Sequence, residues 1–272
     1  METFLFNEHT KTLQIAEWES RFPQLLAGFT LRMEGCSEEP YSSFNMGLHV
    51  GDREHAVIVN RRALSERIRM SFDSWTCADQ VHGTKVVRVT SAERGCGKDN
   101  LQDVIKSTDG LHTNEPDILL TSFYADCVPL YFLDPVRKAV GLAHAGWKGT
   151  VGRISKEMVK AFQQEYGSRE EDLLVAIGPS IGQCCYEVDE RVISFVKQSV
   201  GTWQEAVTAK ENGRYMLDLR KLNQLILLDA GLHPKQIAST NYCTSCRVDL
   251  FYSFRKENGK TGRMASYIGW KE

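Results

Sequence analysis

Between Asp117 and Gly231 the chain alternates apolar runs of strand length with segments of helical period, and this restricts it to a mixed α/β architecture. Asp117 to Asp134 reads as two apolar, aromatic strands joined through a bend at Ala125-Asp126-Cys127 and Pro129, because proline is excluded from a central ladder. Lys138–Trp147 and Leu173–Gly182 read as core strands ending in glycine-rich turns, and Lys85–Thr90 as a shorter β-branched strand. From Thr150 to Tyr166, Val151, Ile154, Met158, Phe162 and Tyr166 line one helical face, with Gly167 suited to the left-handed stop. Further helices are expected over Asp189–Gln198, over Asp218–Ala230 with Gly231 and Pro234 as stop signals, and around Val57–Leu64. Phe251–Trp270 reads as extended, and Ser91–Asp109 as an exposed polar loop holding at most one helical turn.

No internal repeat, low-complexity tract or linker divides the 272 residues, so residues 1–272 are expected to form a single domain. A net charge of −2 gives no basic footprint for nucleic acid. The N-terminus lacks a basic region followed by a long apolar one, and no run approaches the ~20 apolar residues of a membrane span. A cytoplasmic protein without membrane contact is expected. Its eight cysteines then read as reduced thiols rather than a disulfide framework.

Three places carry candidate chemistry. Cys127 lies where an apolar strand breaks, His144 closes another strand ahead of a Gly146/Gly149 turn, and His82-Gly83 precedes a third. A His, a Cys and a His at strand ends can converge as a His₂Cys zinc set, with water or substrate in the fourth position. Zinc there would bring bound water to a pKa of roughly 7. Taken singly, each of these residues is more simply a buried or surface side chain, and their spacing matches no compact metal motif. Lys148 sits in the strand–turn–helix junction, where backbone N–H groups favour an anion. Asn45, in a turn-rich segment, and Arg61, on a helix, are candidates for a polar or anionic ligand; a capped turn and a solvated face are the plainer alternatives. Cys243 and Cys246 form a C-x-x-C pair, which is half a zinc site or a redox pair. With no second C-x-x-C, and Cys184-Cys185 adjacent rather than spaced, peripheral thiols are the simpler reading.

The strings Ser43-FNMGLHVGD, Gln80-VHG, Thr108-DG, Ala125-DCVP, Ala143-HAGWKGT, Ile177-GPSIGQCCYEV and Arg263-MASYIGW resemble, in order, the YfiH-like family of laccase-domain or polyphenol oxidase proteins, also known as purine nucleoside phosphorylases. The resemblance runs from about Phe29 to Trp270. It implies a single α/β/α layered domain with a mixed sheet, a fold shared with a deamidating toxin that uses Cys and His. It implies that His82, Cys127 and His144 hold a metal, zinc or copper. The implied activities are phosphate-dependent cleavage of purine nucleosides, including methylthioadenosine, and deamination of adenosine. The partners are therefore small-molecule nucleosides and phosphate. Phosphate contact would fall to Asn45, Arg61 and Lys148. Lys148 stands where the family often has Arg, which keeps the charge and loses bidentate geometry. Deamination would need water attack at C6 of adenine and a separate proton donor. Asp126 is discounted for that role, since strand alternation turns it away from Cys127.

Three other readings compete. A copper-dependent polyphenol oxidase of the multicopper kind needs many histidines, usually as H-x-H, and this chain has seven and no H-x-H. A metal-free cysteine hydrolase would use Cys127 as nucleophile and His144 as base, leaving His82 dispensable. A non-enzymatic zinc protein would close its site with a fourth ligand.

Overall fold

The computed structural model describes residues 2–272. In chain order its strands are β1 (Phe4–Asn7), β2 (Thr12–Ile15), β3 (Leu25–Thr30), β4 (Trp75–Cys77), β5 (Val86–Arg88), β6 (Gly110–Thr113), β7 (Leu119–Tyr124), β8 (Val128–Asp134), β9 (Ala139–Ala145), β10 (Leu174–Ile177), β11 (Glu187–Val188), β12 (Val207–Ala209), β13 (Tyr215–Leu217), β14 (Ile237–Ser239) and β15 (Met264–Trp270). The helices are α1 (Ala16–Arg21), α2 (Glu54–Ile68), α3 (Trp147–Val151), α4 (Ile154–Tyr166), α5 (Glu190–Val196) and α6 (Leu219–Asp229).

Two mixed six-stranded sheets form the middle of the molecule. Their orders are β1-β2-β3-β15-β7-β4 and β14-β10-β8-β9-β6-β5; β11-β13-β12 make a small third sheet. Side-chain alternation explains the stacking. Along β8, Val128, Leu130 and Phe132 face α4 and α6, while Tyr131 and Leu133 face the first sheet and meet Phe29, Leu120 and Tyr124. On the outer side of the first sheet, Leu119, Phe123 and Tyr267 pack beneath Leu64 and Ile68 of α2. The expected mixed α/β class with outer helices is what the chain adopts, and the β layer between the helices is two sheets rather than one. Strands covered on both faces need apolar residues at every position, which is why β7 to β9 read as continuous runs. Each fully buried Leu or Phe there contributes roughly 1.5–3 kcal/mol.

The helices over 190–196 and 219–229 begin with the capping carboxylates of Asp189 and Asp218, which accept from the Val192 and Lys221 N–H groups. Other boundaries shift. The helix expected from Thr150 starts earlier, at Trp147, and breaks at Gly152-Arg153, where Arg153 adopts a φ of 64°. Pro129 lies inside β8, and the bend is confined to residues 125–127. Its carbonyl accepts from Gly178, so its missing N–H faces the same side, just past the end of β10. The extended C-terminal segment is strand only from Met264, and residues 91–109 contain no helix. No helix among the described residues is long and apolar enough to cross a membrane.

Candidate metal centre

Cys127 ends the bend before β8, His144 is the penultimate residue of β9, and Pro129 of β8 pairs directly with His144. Adjacent central strands therefore deliver a thiol and an imidazole to the same end of the second sheet. His82 arrives from the loop before β5, with its backbone in the left-handed region at a φ of 62°. Such a conformation is unfavourable for a non-glycine residue and persists where surrounding bonds over-determine it. Here the Asp109 carboxylate supplies those bonds, accepting the N–H groups of Val81, His82 and Gly83 at 3.2, 3.0 and 2.7 Å. Gln80 fastens the same loop by exchanging two hydrogen bonds with the Phe123 backbone.

The ligand atoms of His82, Cys127 and His144 lie within 4.8 Å of one another. The two imidazoles meet edge to face with centroids 4.7 Å apart. The second oxygen role of Asp109 is to His144, whose Nδ1 stands 2.9 Å from Oδ1. That bond orients the ring and frees Nε2, the carboxylate–histidine–metal arrangement of many metal centres. Gly146 matters for the space between the ligands: a Cβ there would lie 2.8 Å from His82 Cδ2 and 3.1 Å from Cys127 Sγ. A soft-to-borderline donor set around a gap that a single methyl would fill suits a tetrahedral zinc or copper ion with one open position.

The electrostatics are coupled. Burial would push the Cys127 thiol up, but the charge and hydrogen bond of His144, and then His82, bring it down to about 6. Burial would lower His144, yet the Cys127 charge and the Asp109 bond raise it to about 9. Burial also acts to raise Asp109, and the His144 and Gly83 hydrogen bonds hold it below the usual carboxylate range.

A cavity of about 660 Å³ is lined by all three of these residues, and one of about 290 Å³ by His82 and Cys127; Trp147 and Tyr186 also line both. The larger falls within the usual range for small-molecule sites.

The structure treats the three expected anion contacts differently. Lys148 is exposed and lines the smaller cavity. Arg61 reaches the larger cavity but is fully buried, with four of its five N–H donors on the carbonyls of Met46, Gly97 and Lys98. Its guanidinium lies over Phe123, 4.5 Å from the ring centroid. Arg61 therefore ties two loops together. Asn45 is wholly buried and corrects the expectation of ligand contact: its side chain bonds Asp52 and both backbone groups of Gly47, and accepts from Arg263 N–H. Asp126 lines both cavities, has a left-handed φ of 86° rather than a strand conformation, and has its carboxylate taken by Thr244, Ser253 and the Arg255 N–H.

Two residues were not singled out by sequence reasoning. Asp109 stood in the Thr108-Asp109-Gly110 string, where a carboxylate entering an apolar strand is the usable signal. Arg263 lines the large cavity; its Nη1 bonds the Thr261 and Gly262 carbonyls, and no bond joins Nε or Nη2 to another described residue. Nothing in its spacing announces that placement.

Residues 26–271 match the family described as "Multi-copper polyphenol oxidoreductase laccase". The chain is 44% identical over 264 residues to the Bacillus subtilis protein named purine nucleoside phosphorylase YlmD, covering 96% of this chain and 95% of that one. A Geobacillus stearothermophilus protein of the same name is 43% identical over 256 residues, covering 92% of each. The crystal structure of YlmD from Geobacillus stearothermophilus superposes with a TM-score of 0.95 at 40% identity and 100% coverage of both chains. That of the Bacillus licheniformis hypothetical protein YfiH superposes at 0.94 with 42% identity, covering 97% of this chain and 98% of its own.

Proposed function

We propose that this chain, which belongs to the family described as multi-copper polyphenol oxidoreductase laccase, is a purine nucleoside phosphorylase acting at His82, Cys127 and His144. The observation that carries the reading is the position of this centre, at the junction of two cavities in a chain that matches the phosphorylase-named relatives almost end to end. Residues 1–272 act as one domain in this reading, since β15 at the C-terminus is inserted between β3 and β7.

His82 Nε2 or Nδ1, Cys127 Sγ and His144 Nε2 would hold zinc, which when bound supplies Lewis acidity beside the substrate. Copper suits the same donors. The remaining work falls to the chain. Asp109 holds His144 through Nδ1, so Nε2 is the nitrogen left to face a metal, which would displace its proton on binding. Phosphorolysis breaks the bond from ribose C1′ to the purine as a phosphate oxygen bonds to C1′, and the purine leaves with a proton. The anion needs fixed cations: Lys148 from the smaller cavity and Arg263 from the larger are proposed for that contact. Arg61 and Asn45 position the surrounding loops. Methylthioadenosine cleavage would use the same groups. Adenosine deamination, proposed as a further activity, exchanges the C6 amine for a water oxygen and releases ammonia; the occupied carboxylate of Asp126 makes it unsuited to carry that proton.

A multicopper oxidase fits the donors poorly. Among the described residues, the one group of three or more close metal-binding side chains that includes histidine is this trio. His112, by contrast, is buried against Tyr166.

A second reading rests on a specific observation. Cys127, His144 and Asp109 also make a thiol–imidazole–carboxylate series, the arrangement of a cysteine nucleophile with an oriented base. His82 would then be dispensable. Incubating metal-quantified protein with adenosine and phosphate, followed by mass spectrometry of the products, separates the two. Adenine with ribose-1-phosphate, or inosine, is expected from the wild type and should vanish in Cys127→Ala and His82→Ala. Full turnover in His82→Ala would overturn the metal-centred phosphorylase in favour of the thiol mechanism.

A further inference from the structure

A second set of thiols lies apart from the centre just described. Cys184 and Cys185 follow the Ile181-Gly182 turn ahead of β11, and Cys243 and Cys246 occupy the loop after β14. The intervening chain, residues 186–242, hides their relation in the sequence, but their four Sγ atoms lie within 4.8 Å of one another. Cys246 Sγ is 3.5 Å from that of Cys184 and 3.4 Å from that of Cys185. These separations exceed the ~2.05 Å of a disulfide. They fall a few tenths of an ångström short of the roughly 3.8 Å between sulfurs that follows from four Zn–S bonds of ~2.3 Å in a tetrahedron, and the whole group stays within 4.8 Å.

The backbone is arranged for the same end. Cys243 Sγ accepts the Gly182 N–H at 3.1 Å, a bond that favours thiolate. Thr244 N–H bonds the Ser180 carbonyl and Arg247 N–H bonds that of Cys243, so the two cysteine-bearing turns are fastened to each other and to themselves. Gly182 leaves the needed room: a Cβ would lie 3.2 Å from both Cys184 Sγ and Cys243 Cβ. Arg220 Nη2 lies 3.3 Å from that same point, placing a positive charge beside a group that four thiolates would make anionic. Burying small apolar side chains does not account for the cluster, because Cys184 and Cys246 are exposed.

We propose that Cys184, Cys185, Cys243 and Cys246 form a closed structural site for a thiophilic divalent cation, zinc, distinct from the open centre at His82, Cys127 and His144. Binding releases the thiol protons to water and leaves no position for substrate. Its effect is on the cavity wall. Thr244 Oγ1 donates to Asp126 Oδ1 at 2.6 Å, and Ile181 N–H to the Asp126 carbonyl at 3.0 Å. Ile181, Asp126 and Tyr186 all line the larger cavity. A cation joining the 181–186 turn to the 243–246 turn would thus hold that wall in place.

The test uses the full-length His82→Ala/Cys127→Ala protein, in which the first centre is dismantled. Metal-stripped, reduced protein is titrated with Zn2+ and separately with Co2+, and cysteine alkylation is mapped by mass spectrometry, with the exposed Cys36 as internal reference. One zinc per chain should bind. It should slow alkylation of Cys184, Cys185, Cys243 and Cys246 by about tenfold or more relative to Cys36. Co2+ should give the intense thiolate-to-metal absorption of a four-sulfur site, which Cys246→Ser should weaken. Equal alkylation of the four with and without zinc would overturn the proposal. So would a disulfide among them in protein isolated without oxidant, which would make the group a redox pair. The alkylation arm keeps the cluster intact and decides the matter even if Cys246→Ser fails to fold.

Discussion

The two thiol-bearing clusters draw on similar chemistry and are built in opposite ways. At the first, three donors line one cavity and two of them, His82 and Cys127, a second, while a carboxylate behind His144 fixes one ligand's orientation. At the second, four thiols lie within 4.8 Å of one another on two turns fastened together, with Cys184 and Cys246 exposed. Donor count and surroundings thus separate a centre with a vacant direction from one without. Each cluster has one glycine whose Cβ would press on a cysteine sulfur, Gly146 on Cys127 and Gly182 on Cys184. The contrast therefore extends to the backbone, and it can be broken or sharpened by substitution.

The largest expected effect is Cys127→Ala, which removes the donor shared by the metal-centred and thiol readings. Its kcat/KM for adenosine phosphorolysis should fall by about 10³-fold or more with the fold retained by circular dichroism. A small loss would remove the first cluster from the chemistry altogether.

Asp109→Asn comes next. It keeps the size of the side chain but replaces the acceptor that orients His144 and receives three backbone N–H groups. A loss of about 10–100-fold in zinc affinity or turnover is expected, measured by competition with a chelator and by initial rates. No change in either would show that the bond to His144 is structural only.

The paired glycine substitutions probe the contrast directly. Overpacking costs roughly 1–3 kcal/mol where neighbours cannot yield. Gly146→Ala should reveal that cost mainly in turnover, through displacement of His82 and Cys127. Gly182→Ala should reveal it mainly in zinc retention and thermal unfolding. Identical phenotypes would mean that the two clusters do not have separate roles.

The smallest effect concerns two buried histidines. His144 has a carboxylate behind it; His112 has the Tyr166 hydroxyl, and burial followed by Arg88 lowers it to about 4. The unfolded chain binds a proton at His112 below about 6.5 that the folded chain refuses, so stability is lost as pH falls from about 6.5 toward about 4. By pH 5 the loss should be about 2 kcal/mol, from 1.36 kcal/mol per unit. Urea unfolding at pH 7 and pH 5 should show a smaller difference in His112→Phe than in wild type. An unchanged difference would assign the acid sensitivity elsewhere.

The parts of this molecule that could be read from the chain are those set by local pattern. The apolar runs of β7 to β10 and the periodic faces of α4 and α6 are consequences of burial at fixed spacing, and they were legible. Two sheets instead of one could not be seen, because a strand covered by a helix layer and one covered by another sheet present the same apolar run. At the centre, His82, Cys127 and His144 were suggested by strand ends and carried mainly by family resemblance. Asp109 is 35 residues from His144 and joins it only through the β6–β9 pairing. Asn45 and Arg61 look like ligand contacts in a polar loop and on a helix. Tertiary packing instead surrounds them with backbone partners that no spacing rule anticipates. The Cys243/Cys246 pair has no second C-x-x-C in the sequence and Cys184-Cys185 is adjacent rather than spaced, so peripheral thiols are the simpler reading of the chain; the parallel bridge between Ser180 and Cys243 brings the two pairs together from across it.

In the proposed phosphorylase, His82, Cys127 and His144 act together around a metal ion. The most direct test of that role is to strip the full-length protein of metal, add back Zn2+ in steps, and record bound zinc and adenosine phosphorolysis together in the wild type and His82→Ala. Wild-type turnover should rise in proportion to occupancy of the first centre, and His82→Ala should lack both that occupancy and the turnover. Full turnover in metal-stripped wild type, or in His82→Ala, would contradict that role.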